Sequence, residues 1–178
     1  SQGLHGVSRP IETGYADIAI DDFKAGMRQL AAGVTVITAA HNGAKDGLTA
    51  TATCSVSADP PQLLICVNQL AGAHELIRDA GSFGVNILAR EHEDIALRFA
   101  GMDNTEREDR FDLGTWTEIA TGAPILRDAL AGFDCTISEK VDAGSHSIFI
   151  GRIVGIHHQQ GAPLLYGNGA FTGLAIKD

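Results

Sequence analysis

The stretch Gly47-Leu-Thr-Ala-Thr-Ala-Thr-Cys-Ser-Val-Ser57, which ends just before Asp59-Pro60-Pro61, is dense in hydroxyls and small side chains. Read as a strand, its alternation puts Leu48, Ala50, Ala52, Cys54 and Val56 on one face and Thr49, Thr51, Thr53, Ser55 and Ser57 on the other. A greasy face backed by short donors suits a bound phosphate or a flat heterocycle, which needs close backbone approach more than bulk. Threonine is also simply a good strand former, so the same residues equally describe a half-buried strand, and the segment alone does not separate the two readings.

The elements around it follow from periodicity. Ile20, Phe23, Met27, Leu30 and Ala31 recur at helical spacing and predict an amphipathic lid helix from Ile20 to Ala32, stopped by Gly33. Val34 to Ala40 reads as a strand, His41-Asn42-Gly43 as a turn and residues 48–57 as the returning strand of a hairpin. Gln62 to Asn68 is a nearly unbroken apolar run, which predicts a strand buried on both faces in the centre of a sheet. A helix over 73–80 closed by Gly81, a strand over 83–88 and a helix near 91–100 come next, then an irregular charged stretch, 101–113, expected to be a mobile loop. Two long strands, 132–141 and 147–157, joined through 142–146, complete the chain. Many short strands with few helices predict a mainly β fold, a small antiparallel barrel with additions rather than a parallel α/β sheet.

Composition narrows the function. The 178 residues suit one domain, read as residues 20–178, with residues 1–19 as an N-terminal arm or cloning remnant. A formal net charge of −9 with dispersed basic residues argues against nucleic acid. No apolar run reaches the roughly 20 residues of a membrane helix, and no secretory signal is apparent, so a cytoplasmic protein without a membrane partner is expected. Cys54, Cys66 and Cys135 are odd in number and sit in apolar contexts, which predicts buried free thiols. Neither G-x-G-x-x-G nor G-x-x-x-x-G-K-[ST] is present, so any nucleotide is held without those loops. His157 and His158 leave opposite faces of a strand, and no metal site is expected. The G-x-S-x-G elbow of a hydrolase is missing too.

The order of motifs resembles the short-chain flavin reductases: Leu30-Ala-Ala-Gly-Val-Thr-Val-Ile-Thr38, Gly47-Leu-Thr49, Cys54-Ser-Val-Ser57 with Asp59-Pro60-Pro61, Cys66-Val-Asn68, Phe83-Gly-Val-Asn-Ile-Leu88, Arg98-Phe99, Arg110-Phe111, Trp116, Gly122 to Leu126, Phe133-Asp-Cys135, Gly144-Ser-His146 and Tyr166. The likeness runs over nearly all of residues 20–175. It implies a Greek-key FMN-binding split barrel, a homodimer, and an NAD(P)H-dependent reductase that supplies reduced FMN or FAD to a separate monooxygenase. The resemblance also assigns roles. Asp46, Gly47, Leu48, Thr49, Thr51 and Ala52 would line the flavin ring and ribityl chain. Asn68, Gly72 and Ala73 would meet the phosphate end, where helix-start amides favour an anion. Relatives often carry Ser where Gly72 or Ala73 stands, so a hydroxyl donor is absent here.

Arg98, with Phe99 beside it, matches a helix arginine near the cofactor. Its other reading is a surface pair with Asp94. Gly144-Ser145-His146 stands where relatives have Gly-Asp-His on the nicotinamide side, with Ser145 in place of a carboxylate that would orient the histidine ring. Tyr166 and Phe171 would close the outer face, or pack in a core or dimer. Hydride transfer between two cofactors asks no side chain to act as acid, base or nucleophile. The rival readings are a split-barrel protein that stores FMN or a tetrapyrrole without turnover, and a flavin-dependent corrinoid reductase.

Overall fold

The structure is a computed structural model that describes residues 14–175; most of the expected N-terminal arm, residues 1–13, lies outside the described residues. Among the described residues, three helices, α1 (Ile20–Met27), α2 (Gly72–Ala80) and α3 (Glu93–Phe99), punctuate twelve strands. The strands are β1 (Ala32–Gly33), β2 (Thr35–His41), β3 (Ala44–Ala50), β4 (Thr53–Ala58), β5 (Pro61–Asn68), β6 (Ser82–Ile87), β7 (Trp116–Thr117), β8 (Ile125–Leu126), β9 (Ala131–Ala143), β10 (His146–His158), β11 (Leu165–Gly167) and β12 (Ala170–Thr172). Short 3-10 turns cover Arg90–His92 and Arg107–Asp112.

Seven strands form one antiparallel sheet in the order β3-β2-β6-β9-β10-β5-β4. The sheet curls on itself: Ile37 of β2, Ile65 and Val67 of β5, Phe83 of β6, Cys135 of β9 and Phe149 of β10 share one core, with Ile77 of α2 packed against them. Each fully buried phenylalanine in that core contributes on the order of 1.5–3 kcal/mol. No ladder joins the two edge strands, β3 and β4, so the barrel stays open along that seam, as the split-barrel expectation requires. The Thr35 hydroxyl bridges it locally, donating to the Ala50 carbonyl at 2.7 Å and lying 3.4 Å from the Thr53 hydroxyl.

Several expectations are corrected. The hydroxyl-rich segment is not one strand: β3 ends at Ala50 and β4 begins at Thr53, with Thr53 N–H bonded back to Thr51 at 2.9 Å. On β4 the apolar parity does not point inward: a bulge between Ser55 and Ser57 interrupts the alternation, and Cys54 and Val56 are exposed. Of the three free thiols only Cys135 is buried, and burial pushes its pKa up to about 12. Strand β5 lies next to the edge and alternates: Leu63, Ile65 and Val67 are buried while Leu64 and Cys66 are half-buried. The first helix stops at Met27, short of Gly33, and buries none of its residues.

The charged stretch 101–113 is irregular up to Glu106 and then forms a 3-10 turn over Arg107–Asp112. Its 3-10 turn plants Phe111 among Phe99 and Trp116, with ring centroids 5.0–5.3 Å apart in tilted or edge-on pairs. Val36, Leu88, Ile95 and Leu126 complete this second core on the outer face of β2 and β6. Phe111 ties this charged turn to the core, since edge-on ring pairs add to the area they bury.

Candidate functional site

At the open seam lies a cavity of about 610 Å³, within the range of small-molecule sites. Leu48, Thr49, Ala50, Thr51 and Ala52 all line it. Five consecutive residues of a regular strand would point to alternate faces. They share one wall because the strand breaks there, which brings backbone and short side chains of both parities to the cavity. The Thr49 hydroxyl is tied down by donating to the Ala96 carbonyl of α3 at 2.6 Å. Asn68 and Cys66 of β5, His146 at the start of β10, and Tyr166 with Phe171 of the small β1-β11-β12 sheet form the facing walls. The Tyr166 and Phe171 rings meet edge-on, 5.2 Å apart. Burial first, then the nearby Cys54, pushes the Cys66 thiol upward, so it faces the cavity as a neutral thiol.

A second cavity of about 200 Å³ adjoins the first, Leu48 lining both. Its walls are Gly47, the start of α2 at Ala71, Gly72 and Ala73, the edge of Phe99, and two arginines, Arg107 and Arg110. Helix α2 starts without a side-chain cap, so its first-turn amides face this space with their positive dipole end. Two glycines permit the close approach. A Cβ on Gly47 would come within 2.9 Å of the Ile37 carbonyl and 3.0 Å of the Phe99 ring. A Cβ on Gly72 would collide with the Arg107 guanidinium, which lies over it. Asp46 holds both cations: it is ion-paired to Arg107, lies 3.7 Å from Arg110 Nη1 and accepts the Gly47 N–H at 2.7 Å. Arg110 donates to the Gly47 carbonyl at 3.0 Å, while its Nε is buried with no acceptor.

Leu48, Thr49, Thr51, Ala52, Asn68, His146, Tyr166 and Phe171 are therefore gathered round the large cavity, and Gly47, Gly72, Ala73 and Phe99 round the small one. Asp46 stands behind the small cavity through its arginines, and Ser145 behind the large one, its hydroxyl 2.8 Å from His146 Nδ1. Arg98 is the exception. It lines neither cavity, and its Nε donates to Asp103 at 2.8 Å, which holds that carboxyl below the usual range. The Asp94 pairing does not form either, since Asp94 Oδ1 accepts the Ile95 N–H instead. The arginines that line the small cavity are Arg107 and Arg110, and a signal for them was present: they are the chain's arginine pair at i, i+3 spacing, one helical turn apart. Pocket residues Leu97, Ala100, Met102, Gly169 and Ala170 carry no motif that marks them.

The profile of the flavin reductase like domain matches residues 27–175. A protein of Agrobacterium fabrum (strain C58) named FMN reductase (NADH) RutF is 40% identical over 144 residues, 81% of this chain and 82% of that protein. BorF, described as the flavin reductase component of a bacterial two-component tryptophan halogenase, superposes with a TM-score of 0.80 at 38% identity, covering 88% of this chain and 99% of that one. SgcE6 of Streptomyces globisporus C-1027, described as an NADH:FAD oxidoreductase, gives a TM-score of 0.81 at 28% identity over 95% and 98% of the two chains. This chain belongs to the flavin reductase-like family.

Proposed function

We propose that this oxidoreductase moves a hydride from NADH to FMN or FAD and supplies the reduced flavin to a separate monooxygenase. The observation that carries the reading is the pair of neighbouring cavities: a large, mainly apolar one, and beside it a small one walled by Arg107, Arg110 and the start of α2. The residues fit a phosphorylated flavin. When bound, the flavin supplies an electron-accepting ring to which the dihydropyridine delivers its hydride.

The chain's own contribution is placement. Leu48 to Ala52 offer a flat wall of backbone and small groups for the ring. Arg110 and the α2 amides take the phosphate charge that an otherwise acidic molecule would repel. His146, steadied by Ser145, lines the same cavity and would meet the nicotinamide, with Tyr166 and Phe171 shielding the reacting face from water. No proton transfer by a side chain is required.

A homodimer is part of the proposal. The apolar face of α1 is exposed at Ile20, Phe23 and Met27, as is Leu30 just beyond it, and such a face is stable when something covers it. Among the described residues no helix is long and apolar enough to cross a membrane, and free thiols agree with a reducing cytoplasm. Residues 20–178 would act as one functional unit. The deciding experiment mixes purified protein with NADH and excess FMN and follows absorbance at about 340 nm. Steady loss is expected; flavin binding without NADH oxidation would turn the protein into a storage module.

A further inference from the structure

We infer that the Arg107 to Asp46 ion pair is a latch that makes this site select a flavin ending in a phosphate monoester over one that continues into a diphosphate and nucleoside. The inference rests on the proposed flavin occupancy of the two cavities and deepens it by naming the substrate.

Size is the first argument. At about 200 Å³ the small cavity has room for roughly seven water volumes, enough for a phosphate group and the carbons that lead to it. It falls below the roughly 300 Å³ at which pockets begin to enclose drug-sized molecules. A nucleoside diphosphate does not fit there, so its remainder would have to lie outside this half-open space, past the wall that borders the opening.

That wall is Arg107. Its guanidinium lies over Gly72 on one side and is paired with the Asp46 carboxylate on the other, so it spans the gap between the start of α2 and the start of the flavin-facing strand segment. Asp46 cannot drift away with it. Its side chain is only 13% exposed, and its second oxygen is held by the Gly47 N–H at 2.7 Å. Arg107 is anchored at its backbone by the turn that Phe111 pins into the aromatic cluster, although its side chain is 53% exposed.

Charge points the same way. A phosphate monoester carries about 1.5 to 2 negative charges near neutral pH and three terminal oxygens, enough to engage Arg107 and Arg110 together. Each phosphate of a diphosphate ester carries one charge and has two such oxygens, and its continuation must displace Arg107 from Asp46. Asp46 also shares Arg107 with the incoming anion, which moderates affinity and suits a flavin that has to depart after reduction.

The test titrates oxidised FMN, FAD and riboflavin by flavin fluorescence, with no nicotinamide present. The wild-type protein is expected to bind FMN at least tenfold more tightly than FAD, and riboflavin more weakly than FMN. In Arg107→Ala, whose exposed side chain can be removed without opening the core, FMN weakens about tenfold while FAD holds or tightens, so the preference falls to near unity. Asp46→Asn, which keeps an oxygen for the Gly47 N–H, also erodes the preference but leaves FMN bound. Equal wild-type affinities, or a preference unchanged in Arg107→Ala, would overturn the latch and leave the flavin reading intact. If none of the three flavins binds, that reading itself fails and the latch with it.

Discussion

The Ser145 hydroxyl lies 2.8 Å from Nδ1 of His146, so a neutral group orients the imidazole where the family resemblance leads one to expect a carboxylate. The turn beneath it is held by Gln69, whose N–H donates to the Ser145 carbonyl at 3.0 Å and whose side-chain amide donates to the His146 carbonyl at 3.1 Å. His146→Ala is therefore expected to raise the KM for NADH about tenfold, the worth of one hydrogen bond, and to leave FMN affinity within about twofold. Ser145→Ala, which removes orientation only, should produce a smaller rise of about threefold. Initial rates against NADH concentration read both, and an unchanged NADH dependence in the first variant removes His146 from the site.

Arg98 and Arg110 make opposite predictions although both are arginines on helical turns beside aromatic residues. Arg110→Ala deletes a buried guanidinium that faces the small cavity, and FMN should bind about 10- to 100-fold more weakly, as for a lost charge-assisted hydrogen bond. Riboflavin, without a phosphate, should lose little. Arg98→Ala breaks only the pair with Asp103 and should leave FMN binding within about twofold. Equilibrium titration with the two flavins checks both, and a large FMN defect in Arg98→Ala would restore the sequence-based assignment.

Gly47→Ala should harm folding and binding together. The added methyl meets the Ile37 backbone carbonyl at 2.9 Å and the Phe99 ring at 3.0 Å, and neither can rotate away, so overpacking of about 1–3 kcal/mol is expected. Urea denaturation should show a lowered midpoint at an unchanged slope. A midpoint equal to wild type would show that β3 has slack at this position.

His74, 6% exposed on the first turn of α2, places Nε2 2.8 Å from the Ser147 hydroxyl and its ring against Phe149. Burial, then Lys140 and Arg78, hold its pKa below the ordinary 6.5, outweighing the opposite pull of Asp142 and Glu75. In that window the unfolded chain takes up a proton that the folded chain refuses. Stability from this group is complete above pH 6.5 and declines as pH falls below it toward the depressed folded value. His74→Gln should flatten the dependence of Tm on pH between about 5 and 7. The depressed carboxyls of Asp103 and Asp142 act lower, with stability lost as pH falls below their ordinary 3.8, and should remain in the variant.

Chain-local patterns carried much of this molecule. The strand periods, the Asn42-Gly43 turn between β2 and β3, the C-terminal pair β9 and β10, and the threonine-rich wall of the cavity all depend on neighbours within a few residues, and those were legible. The break at residues 51–52 was not. Alternation of residue type runs straight through it, and only the curl of the sheet decides that β3 and β4 become opposite edges of an open barrel.

The small cavity shows the same division. The resemblance placed Asn68, Gly72 and Ala73 at the phosphate end and Gly47 at the ring, and it named Arg98; the small cavity instead gathers Gly47, Gly72 and Ala73 with Arg107 and Arg110, while Asn68 lines the large one. An arginine side chain is long enough to serve either of two sites, and its partner is set by where its backbone is pinned. Here Phe111, buried against Phe99 and Trp116, carries the 101–113 stretch over the start of α2, while Asp103 captures Arg98. Residue types and their order determined that the chain forms an antiparallel flavin reductase-like fold. Which arginines line the small cavity was decided only by the tertiary packing of three aromatic rings, because contacts between residues far apart in the chain leave no periodic trace in it.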